Sequence, residues 1–249
     1  MNEAFIDLRD ITKDFGGVHA LRGVNMQIPE GQVTAIVGDN GAGKSTLISC
    51  LSGLFEPSSG QIFIDGVEVR ITSPTDSRHH GIETVYQDLA VIDTLTVAEN
   101  LYLSREETIG IRPFTLLNRR KMRAGAADML KRVGNTTIPA SRELSAMSGG
   151  QRQAVAIVRA VGWGAKIIIF DEPTAALGVK ESAEVHTLIK SLRDDGITVI
   201  FISHNFEEVM GLADLVWVMR HGKAVTSRRA SDTSGLELVA LVTGAADGS

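Results

Sequence analysis

Apolar and polar residues alternate over the first quarter of the chain in the manner of β-strands. Alternation over residues 5–11 and 21–28 predicts two strands. Residues 61–64 and 67–71 predict a hairpin, because the turn dipeptide Asp65-Gly66 lies between them. The leading part of the chain is therefore expected to be antiparallel β-structure.

Strands and helices then alternate along most of the chain. Mainly apolar runs at residues 33–37, 166–170 and 197–202 predict strands that are buried on both faces, as in a parallel sheet. A further strand is predicted at residues 82–86, and a hairpin at 215–219 and 223–226. Helical patterns cover residues 47–54, 152–163, 180–193, 205–212 and 234–242. This alternation favours an α/β fold with a mainly parallel sheet, in which ligands bind at the carboxyl ends of the strands.

The strand pattern stops in the middle of the chain, from about residue 95 to residue 147. Residues 96–104 and 118–133 are predicted to be helical, and Gly110 and Pro113 separate them. We therefore expect one domain over residues 1–249, in which residues 1–87 and 149–249 form the α/β core. An all-helical subdomain of about residues 88–148 is expected to be inserted into that core.

A glycine-rich loop follows the predicted strand at residues 33–37 and opens into a helix. It matches the P-loop pattern of Gly, four residues, and Gly-Lys-[Ser/Thr], and it consists of Gly38, Asp39, Asn40, Gly41, Ala42, Gly43, Lys44, Ser45 and Thr46. Glycines let the backbone N–H groups surround a phosphate, and the helix start adds its free amides and dipole. Lys44 supplies a charge for the outer phosphates, and the Ser45 hydroxyl can bind Mg²⁺. The loop predicts binding of a nucleoside triphosphate, with a chance glycine turn as the alternative.

Polar residues at three other predicted strand ends suit hydrolysis of such a nucleotide. Asp171 can hold Mg²⁺ through water, and Glu172 can polarise the attacking water as a general base, although an Asp-Glu pair commonly only caps a helix. Gln87 can sense both metal and water, and His204 can contact the γ-phosphate. Each of these two would be an ordinary loop residue if it stood alone.

The composition narrows the class of protein. Hydrophobic residues at 43% and charged residues at 22% are typical of a globular protein, and a net charge of −5 argues against a dedicated nucleic-acid binder. The basic group Arg119, Arg120, Lys121 and Arg123 has acidic neighbours and no interleaved aromatics, which favours a solvated helix face. The single cysteine, Cys50, excludes an internal disulfide. Neither a membrane span nor a signal peptide is predicted, so a cytosolic location is expected.

The chain resembles the nucleotide-binding subunits of ABC transporters along nearly its whole length, because it contains five of their motifs in the same order. They are the P-loop at residues 38–46 (Walker A), Gln87 (Q-loop), Met147-Ser148-Gly149-Gly150-Gln151 (signature), residues 167–172 (Walker B) and His204 (switch histidine). The Ser-Gly-Gly-Gln signature separates this family from other P-loop proteins. The resemblance implies that Phe15 stacks on adenine, whereas Phe15 taken alone is more often a core or strand-end aromatic. It also implies that Ser148, Gly149, Gly150 and Gln151 complete the ATP site of a facing subunit in a head-to-tail dimer.

Further phrases at residues 11–17, 81–87, 95–100 and 172–177 resemble the ATPases of ribose, xylose and fructose importers. Two departures from the family pattern are Met147, where Leu is usual, and Gly178, where most members have the D-loop Asp. The latter departure is frequent among sugar-importer ATPases and removes one contact across the dimer.

The resemblance implies an ATPase that uses ATP and Mg²⁺ to drive uptake of a monosaccharide-like solute. It would lie at the cytoplasmic face of the inner membrane as a peripheral protein. Its partners would be a second, identical ATPase subunit, membrane permease subunits and, indirectly, an extracytoplasmic solute-binding protein; no nucleic acid is expected. Import of amino acids or another small solute is an alternative, as is a non-transport ABC ATPase acting in DNA repair or translation.

Overall fold

A computed structural model describes residues 4–86, 90–111, 114–133, 137–175 and 177–246. The chain divides into two compact units. The first unit comprises Met1–Thr84, Ala165–Pro173 and Ile189–Ser249, and the second comprises Val85–Gly164 and Thr174–Leu188. The stretch predicted as an insertion, residues 88–148, falls within the second unit.

The elements are numbered in chain order. The strands are β1 Ala4–Phe15, β2 Val18–Pro29, β3 Val33–Val37, β4 Ser59–Ile64, β5 Val67–Val69, β6 Ile82–Val85, β7 Thr108–Ile111, β8 Phe114–Leu117, β9 Ile167–Asp171, β10 Thr198–Ile202, β11 Leu215–Arg220 and β12 Lys223–Arg229. The helices are α1 Lys44–Leu51, α2 Pro74–His79, α3 Val97–Leu101, α4 Arg119–Arg132, α5 Gly149–Gly162, α6 Val179–Asp194, α7 Phe206–Leu212 and α8 Gly235–Thr243.

Two sheets form the first unit. A four-stranded sheet in the order β2-β1-β4-β5 is antiparallel throughout, as the alternation in its sequence predicts. A six-stranded sheet has the order β12-β11-β3-β10-β9-β6, in which β11, β3, β10 and β9 are parallel and β12 is antiparallel to β11. Both the mainly parallel sheet and the antiparallel N-terminal part are thus confirmed.

Burial explains why the strands of the parallel sheet were easy to recognise. Every residue of β3 and of β10 is buried, and so are the first four residues of β9. Strands covered on both faces have no polar face, so each appears in the sequence as a mainly apolar run. These three strands lie side by side, and their carboxyl ends carry the residues of the candidate site.

The second unit contains helices α3, α4 and α5, the start of α6, and one element that the sequence analysis did not predict. Its middle segment is not all-helical as expected, because β7 and β8 pair as an antiparallel hairpin. Gly110, interpreted as a helix breaker, lies within β7, opposite Thr115. The described side chains of both strands are exposed, so no alternation of buried and exposed positions marks them as strands.

Candidate active site

The glycine-rich loop is shaped by close contacts that only glycine permits at two positions. Gly38, after β3, has a φ of 154°, and a Cβ there would lie 2.2 Å from the carbonyl oxygen of Met219 in β11. Gly43, the N-cap of α1, has a φ of 100°, and a Cβ there would lie 2.8 Å from the carbonyl oxygen of Ala20 in β2. The neighbouring strands therefore fix the path of the loop, and Ser45 and Thr46 lie in the first turn of α1.

Lys44 is held within the loop that it is predicted to serve. Its Nζ donates hydrogen bonds to the carbonyl oxygens of Gly38, at 2.6 Å, and of Asp39, at 2.9 Å. Only 8% of the residue is exposed. A buried ammonium that bonds to backbone carbonyls is preorganised to meet an anion seated in the same loop.

Two carboxylates and a histidine meet where β9 and β10 end. Asp171 is paired with Ile202 in the parallel register, and the Glu172 N–H donates to the Ile202 carbonyl oxygen at 3.1 Å. A hydrogen bond of 3.2 Å joins His204 Nδ1 to Glu172 Oε1. Glu172 also has a φ of 52°, a conformation that non-glycine residues adopt only at a cost of about 1–2 kcal/mol. Such strain concentrates at functional positions, which supports the role predicted for Glu172.

The charges of Lys44 and the two carboxylates interact. Burial lowers the pKa of Lys44, and the charges of Glu172, Asp39 and Asp171 oppose that shift. Burial raises the pKa of Asp171, and the neighbouring charge of Glu172 raises it further, while Lys44 lowers it. One cation thus faces several carboxylates in a partly desolvated site, an arrangement found where perturbed ionisation serves function.

Phe15 lies at the end of β1, and 42% of it is exposed. The Phe55 ring stands edge-on to it, with centroids 5.1 Å apart, and the Lys13 ammonium lies 5.2 Å from the Phe15 centroid. The exposed ring is not a core aromatic, but its place at the end of β1 agrees with the strand-end alternative, so stacking on adenine stays a prediction. Phe55 follows α1 and was not singled out in the sequence, because its proximity to Phe15 depends on how β1 and the α1–β4 connection fold.

The signature residues of the second unit begin α5. Ser148 is its N-cap, and a capping box joins the side chain of Ser148 to the Gln151 N–H and the side chain of Gln151 to the Ser148 N–H, at 3.4 and 3.2 Å. Gly149 and Gly150 form the first turn, where N–H groups have no partner within the helix. The predicted place of these residues at a helix start is thus observed, and anion binding by their N–H groups stays a prediction.

A carboxylate of the same chain already lies at that helix start. The Gly178 N–H donates to Glu181 Oε2 at 3.3 Å. This bond is the largest cause that lowers the pKa of Glu181, and the nearby Ser148 side chain and Gly150 N–H lower it further. Sequence analysis missed Glu181, because 33 positions separate it from Ser148 and no local pattern links the two.

The structure brings together some of the predicted site residues. Lys44, Asp171, Glu172 and His204 form one connected group with the loop at residues 38–46. Gln87 lies outside the described residues. Among the described residues, no group of three or more His, Cys, Asp or Glu is arranged to hold a metal ion, and no helix is long and apolar enough to cross a bilayer.

A P-loop between a buried parallel strand and a helix, with carboxylates at the end of a nearby strand, defines a nucleotide-binding protein of the P-loop class. The chain belongs to the ABC transporter family, because residues 21–175 match the profile of that family. The ATP-binding subunits of this family are ATPases, and their cassettes bind ATP and ADP.

Three proteins that the chain resembles are ATP-binding proteins of sugar importers. The chain is 41% identical over 238 residues to the xylose/arabinose import ATP-binding protein of Sulfolobus acidocaldarius, covering 96% of this chain and 93% of the relative. It is 40% identical over 247 residues to the fructose import ATP-binding protein of Rhizobium meliloti, covering 98% and 95%. It is also 41% identical over 242 residues to a ribose import ATP-binding protein of Streptomyces avermitilis, covering 97% of this chain and 45% of that protein. The chain thus spans about half the length of the ribose import protein.

Solved structures of ABC transporter cassettes share the fold. One ATP-binding cassette in its ADP conformation superposes with a TM-score of 0.80 at 26% identity, covering 96% of this chain and 95% of that one. A dimeric cassette bound to ADP and phosphate superposes with a TM-score of 0.72 at 27% identity, covering 90% and 98%.

Proposed function

We propose that this chain is the ATP-hydrolysing subunit of an ABC importer and drives uptake of a monosaccharide-like solute. The observation that supports ATP hydrolysis is the Glu172–His204 hydrogen bond at the ends of β9 and β10, next to the charge of Lys44. The sugar part is supported by the xylose/arabinose, fructose and ribose import proteins that the chain resembles. Import of amino acids or another small solute remains the alternative, because the nucleotide site does not contact the cargo.

The loop and Lys44 bind the triphosphate in this proposal. The N–H groups of residues 38–46 and the start of α1 surround the phosphates, while Phe15 stacks on the adenine. Lys44, which now donates to two loop carbonyls, donates to the outer phosphate oxygens when a nucleotide enters. Its charge then compensates the anion within a site from which water is partly excluded.

Glu172 is the general base in this proposal. Its carboxylate accepts a proton from the attacking water, and its strained backbone and its bond to His204 hold it in one orientation. His204 contacts the γ-phosphate through Nε2, because its Nδ1–H donates to the Glu172 carboxylate. Nε2 donates to a phosphate oxygen only in the imidazolium form, in which both ring nitrogens carry protons. Gln87 contributes through water.

The oxygen donors at this site suit Mg²⁺. A hydroxyl from Ser45 and the carboxylate of Asp171 are hard ligands, and Mg²⁺ characteristically uses only one or two protein ligands and completes its shell with water and phosphate. When bound, Mg²⁺ neutralises charge on the β- and γ-phosphates. We assign Ser45 as the direct ligand, with Asp171 and Gln87 acting mainly through water.

A second copy of the chain completes the site. Ser148, Gly149, Gly150 and Gln151 bind the ATP held by the facing subunit, so two nucleotides are enclosed in a head-to-tail dimer. The dimeric cassette of similar fold supports this proposal. Permease subunits dock on the inserted subdomain at the cytoplasmic face of the membrane, and an extracytoplasmic binding protein delivers the solute to them. Nucleic acid has no role.

The decisive experiment replaces Glu172 by Gln. This substitution keeps the size and removes the base, so we expect ATP binding and an ATP-bound dimer to persist while turnover falls about 10²- to 10⁴-fold. Glu30→Gln, at an exposed position after β2, is the matched control and should turn over normally. Turnover of Glu172→Gln near that of the unaltered protein would exclude Glu172 as the base.

The cross-subunit assignment is tested by Ser148→Arg. A large cation at the start of α5 should block hydrolysis, while nucleotide binding to the variant's own loop should be unchanged. A homodimer of the variant that still hydrolyses ATP would show that the signature does not complete the facing site.

A further inference from the structure

The β7–β8 hairpin has an apolar face whose described side chains are exposed. Within the described residues it forms a sheet of only two strands, and Ile109 is paired directly with Leu116. Directly opposed residues of antiparallel strands point to the same face, and so do residues two apart on one strand. Ile109, Leu116 and Phe114 therefore share one face of the hairpin.

These side chains are exposed to a degree that is unusual for their size. Exposure is 87% for Phe114, 78% for Leu116 and 58% for Ile109. Leu117 at the end of β8 is 45% exposed. Contiguous exposed apolar side chains on a short hairpin mark an interaction site more often than isolated ones do.

The charge around the hairpin is opposite in sign to that of the chain as a whole. Residues 105–123 contain six basic and two acidic residues, a net charge of +4, whereas the whole chain has a net charge of −5. Glu107 pairs with Lys121 at 2.9 Å, and Glu99 lies 3.5 Å from Arg119. Arg120 and Arg123 are exposed in the same first turns of α4, which begins two residues after β8 ends.

We propose that this hairpin binds the surface of a bilayer that contains anionic lipids. The apolar face formed by Ile109, Phe114 and Leu116 enters the boundary between headgroups and acyl chains, and the basic start of α4 contacts the lipid phosphates. The combination of bulky apolar side chains with a local positive charge favours a lipid surface, because its interface offers apolar and anionic components together. This contact goes beyond the proposed function, since it needs neither nucleotide nor permease.

The test measures sedimentation of the purified full-length chain with vesicles in the absence of nucleotide. Vesicles of phosphatidylcholine containing phosphatidylglycerol should bind the chain, and vesicles of phosphatidylcholine alone should bind it far less. We expect Phe114→Ser and Leu116→Ser each to lower the partition coefficient about tenfold. Arg120→Gln and Arg123→Gln should each lower it roughly fivefold on anionic vesicles only.

Leu236→Ser is the matched control, because Leu236 is 85% exposed but belongs to α8 in the first unit and not to the hairpin. It should leave the partition unchanged. All these side chains are exposed, so the thermal midpoint and the ATPase rate in solution should stay the same in every variant. As a second readout, Phe114→Trp should give a blue shift of emission when anionic vesicles are added, and Leu236→Trp should give none.

Three results would overturn the proposal. One is that the unaltered chain fails to bind anionic vesicles, or binds neutral ones equally. Another is that Phe114→Ser and Leu116→Ser bind vesicles as the unaltered chain does. The third is binding that requires permease in the vesicles and ignores lipid charge, which would identify a protein partner for the hairpin. Loss of ATPase activity in Glu172→Gln has no bearing on these measurements, so the two proposals can fail separately.

Discussion

The contrast between two glycines of the phosphate-binding loop gives a quantitative test of its geometry. Gly41 and Gly43 both have positive φ values, 81° and 100°. A Cβ added at Gly41 would meet nothing within 4 Å. A Cβ added at Gly43 would lie 2.8 Å from the Ala20 carbonyl oxygen and 3.0 Å from Leu21 Cδ2. Substitution by Ala therefore adds the same backbone strain at both positions but a steric clash only at Gly43.

The expected magnitudes follow from these contacts. Placing Ala at a positive φ costs about 1–2 kcal/mol at either position. Gly43→Ala must also displace the backbone at Ala20, which β2 holds through its pairing with β1, and such overpacking costs about 1–3 kcal/mol more. The free energy of unfolding should thus fall by about 1–2 kcal/mol in Gly41→Ala and by about 2–5 kcal/mol in Gly43→Ala.

Urea denaturation of the nucleotide-free chain measures both values against the unaltered protein. Nucleotide is left out because ligand bound to the folded state would add its own stabilisation. A loss in Gly41→Ala that equals or exceeds the loss in Gly43→Ala would refute the steric reasoning. A Gly43→Ala variant that is as stable as the unaltered chain would also refute the steric reasoning.

Three further predictions concern other parts of the chain. Asn100 is fully buried, and its side chain forms hydrogen bonds with the backbone of Ile92, Leu95 and Thr96. Asn100→Ala should therefore lower the free energy of unfolding by about 2–4 kcal/mol. A loss below about 0.5 kcal/mol in urea denaturation curves would contradict this prediction. The pKa of Asp171 is raised by burial, so its charged form disfavours the folded state. Asp171→Asn should therefore be more stable than the unaltered chain at neutral pH. In pH-dependent unfolding curves this gain should begin to shrink as the pH falls through the raised pKa and should vanish below the pKa of Asp171 in the unfolded chain. Phe15→Ala should weaken ATP binding by about 5- to 100-fold if the ring stacks on adenine, whereas equal affinities for ATP in calorimetry would remove Phe15 from the site.

The sequence was most informative where structure requires a distinctive pattern. The parallel strands β3 and β10 are mainly apolar because every residue in them is buried, and the loop of residues 38–46 needs glycine at fixed positions. Position at the ends of neighbouring strands was therefore enough to predict that Lys44, Asp171, Glu172 and His204 lie near one another.

Other features leave no such pattern. The β7–β8 hairpin exposes its apolar residues, so its strands lack a buried face, and Gly110 indicated a break between helices. β1 and β2 are each 12 residues long and contain register shifts, so alternation revealed only part of each. The bond from Glu172 to His204 depends on rotamers and on a strained φ at Glu172, neither of which a sequence records.

The position of Glu181 affects the electrostatics of anion binding at the start of α5. Its carboxylate accepts a hydrogen bond from the Gly178 N–H at 3.3 Å, and its Cβ would lie 3.0 Å from a Cβ added at Gly150. An incoming phosphate at Ser148 and Gly150 must therefore exchange with an anion of the same chain rather than fill a vacant cationic site. The free energy gained is the difference between the interaction free energies of the two anions with the helix start. A multiply charged γ-phosphate can therefore displace the carboxylate, whereas a singly charged ion gains little. Glu181 would then prevent small monovalent anions from binding at this helix start.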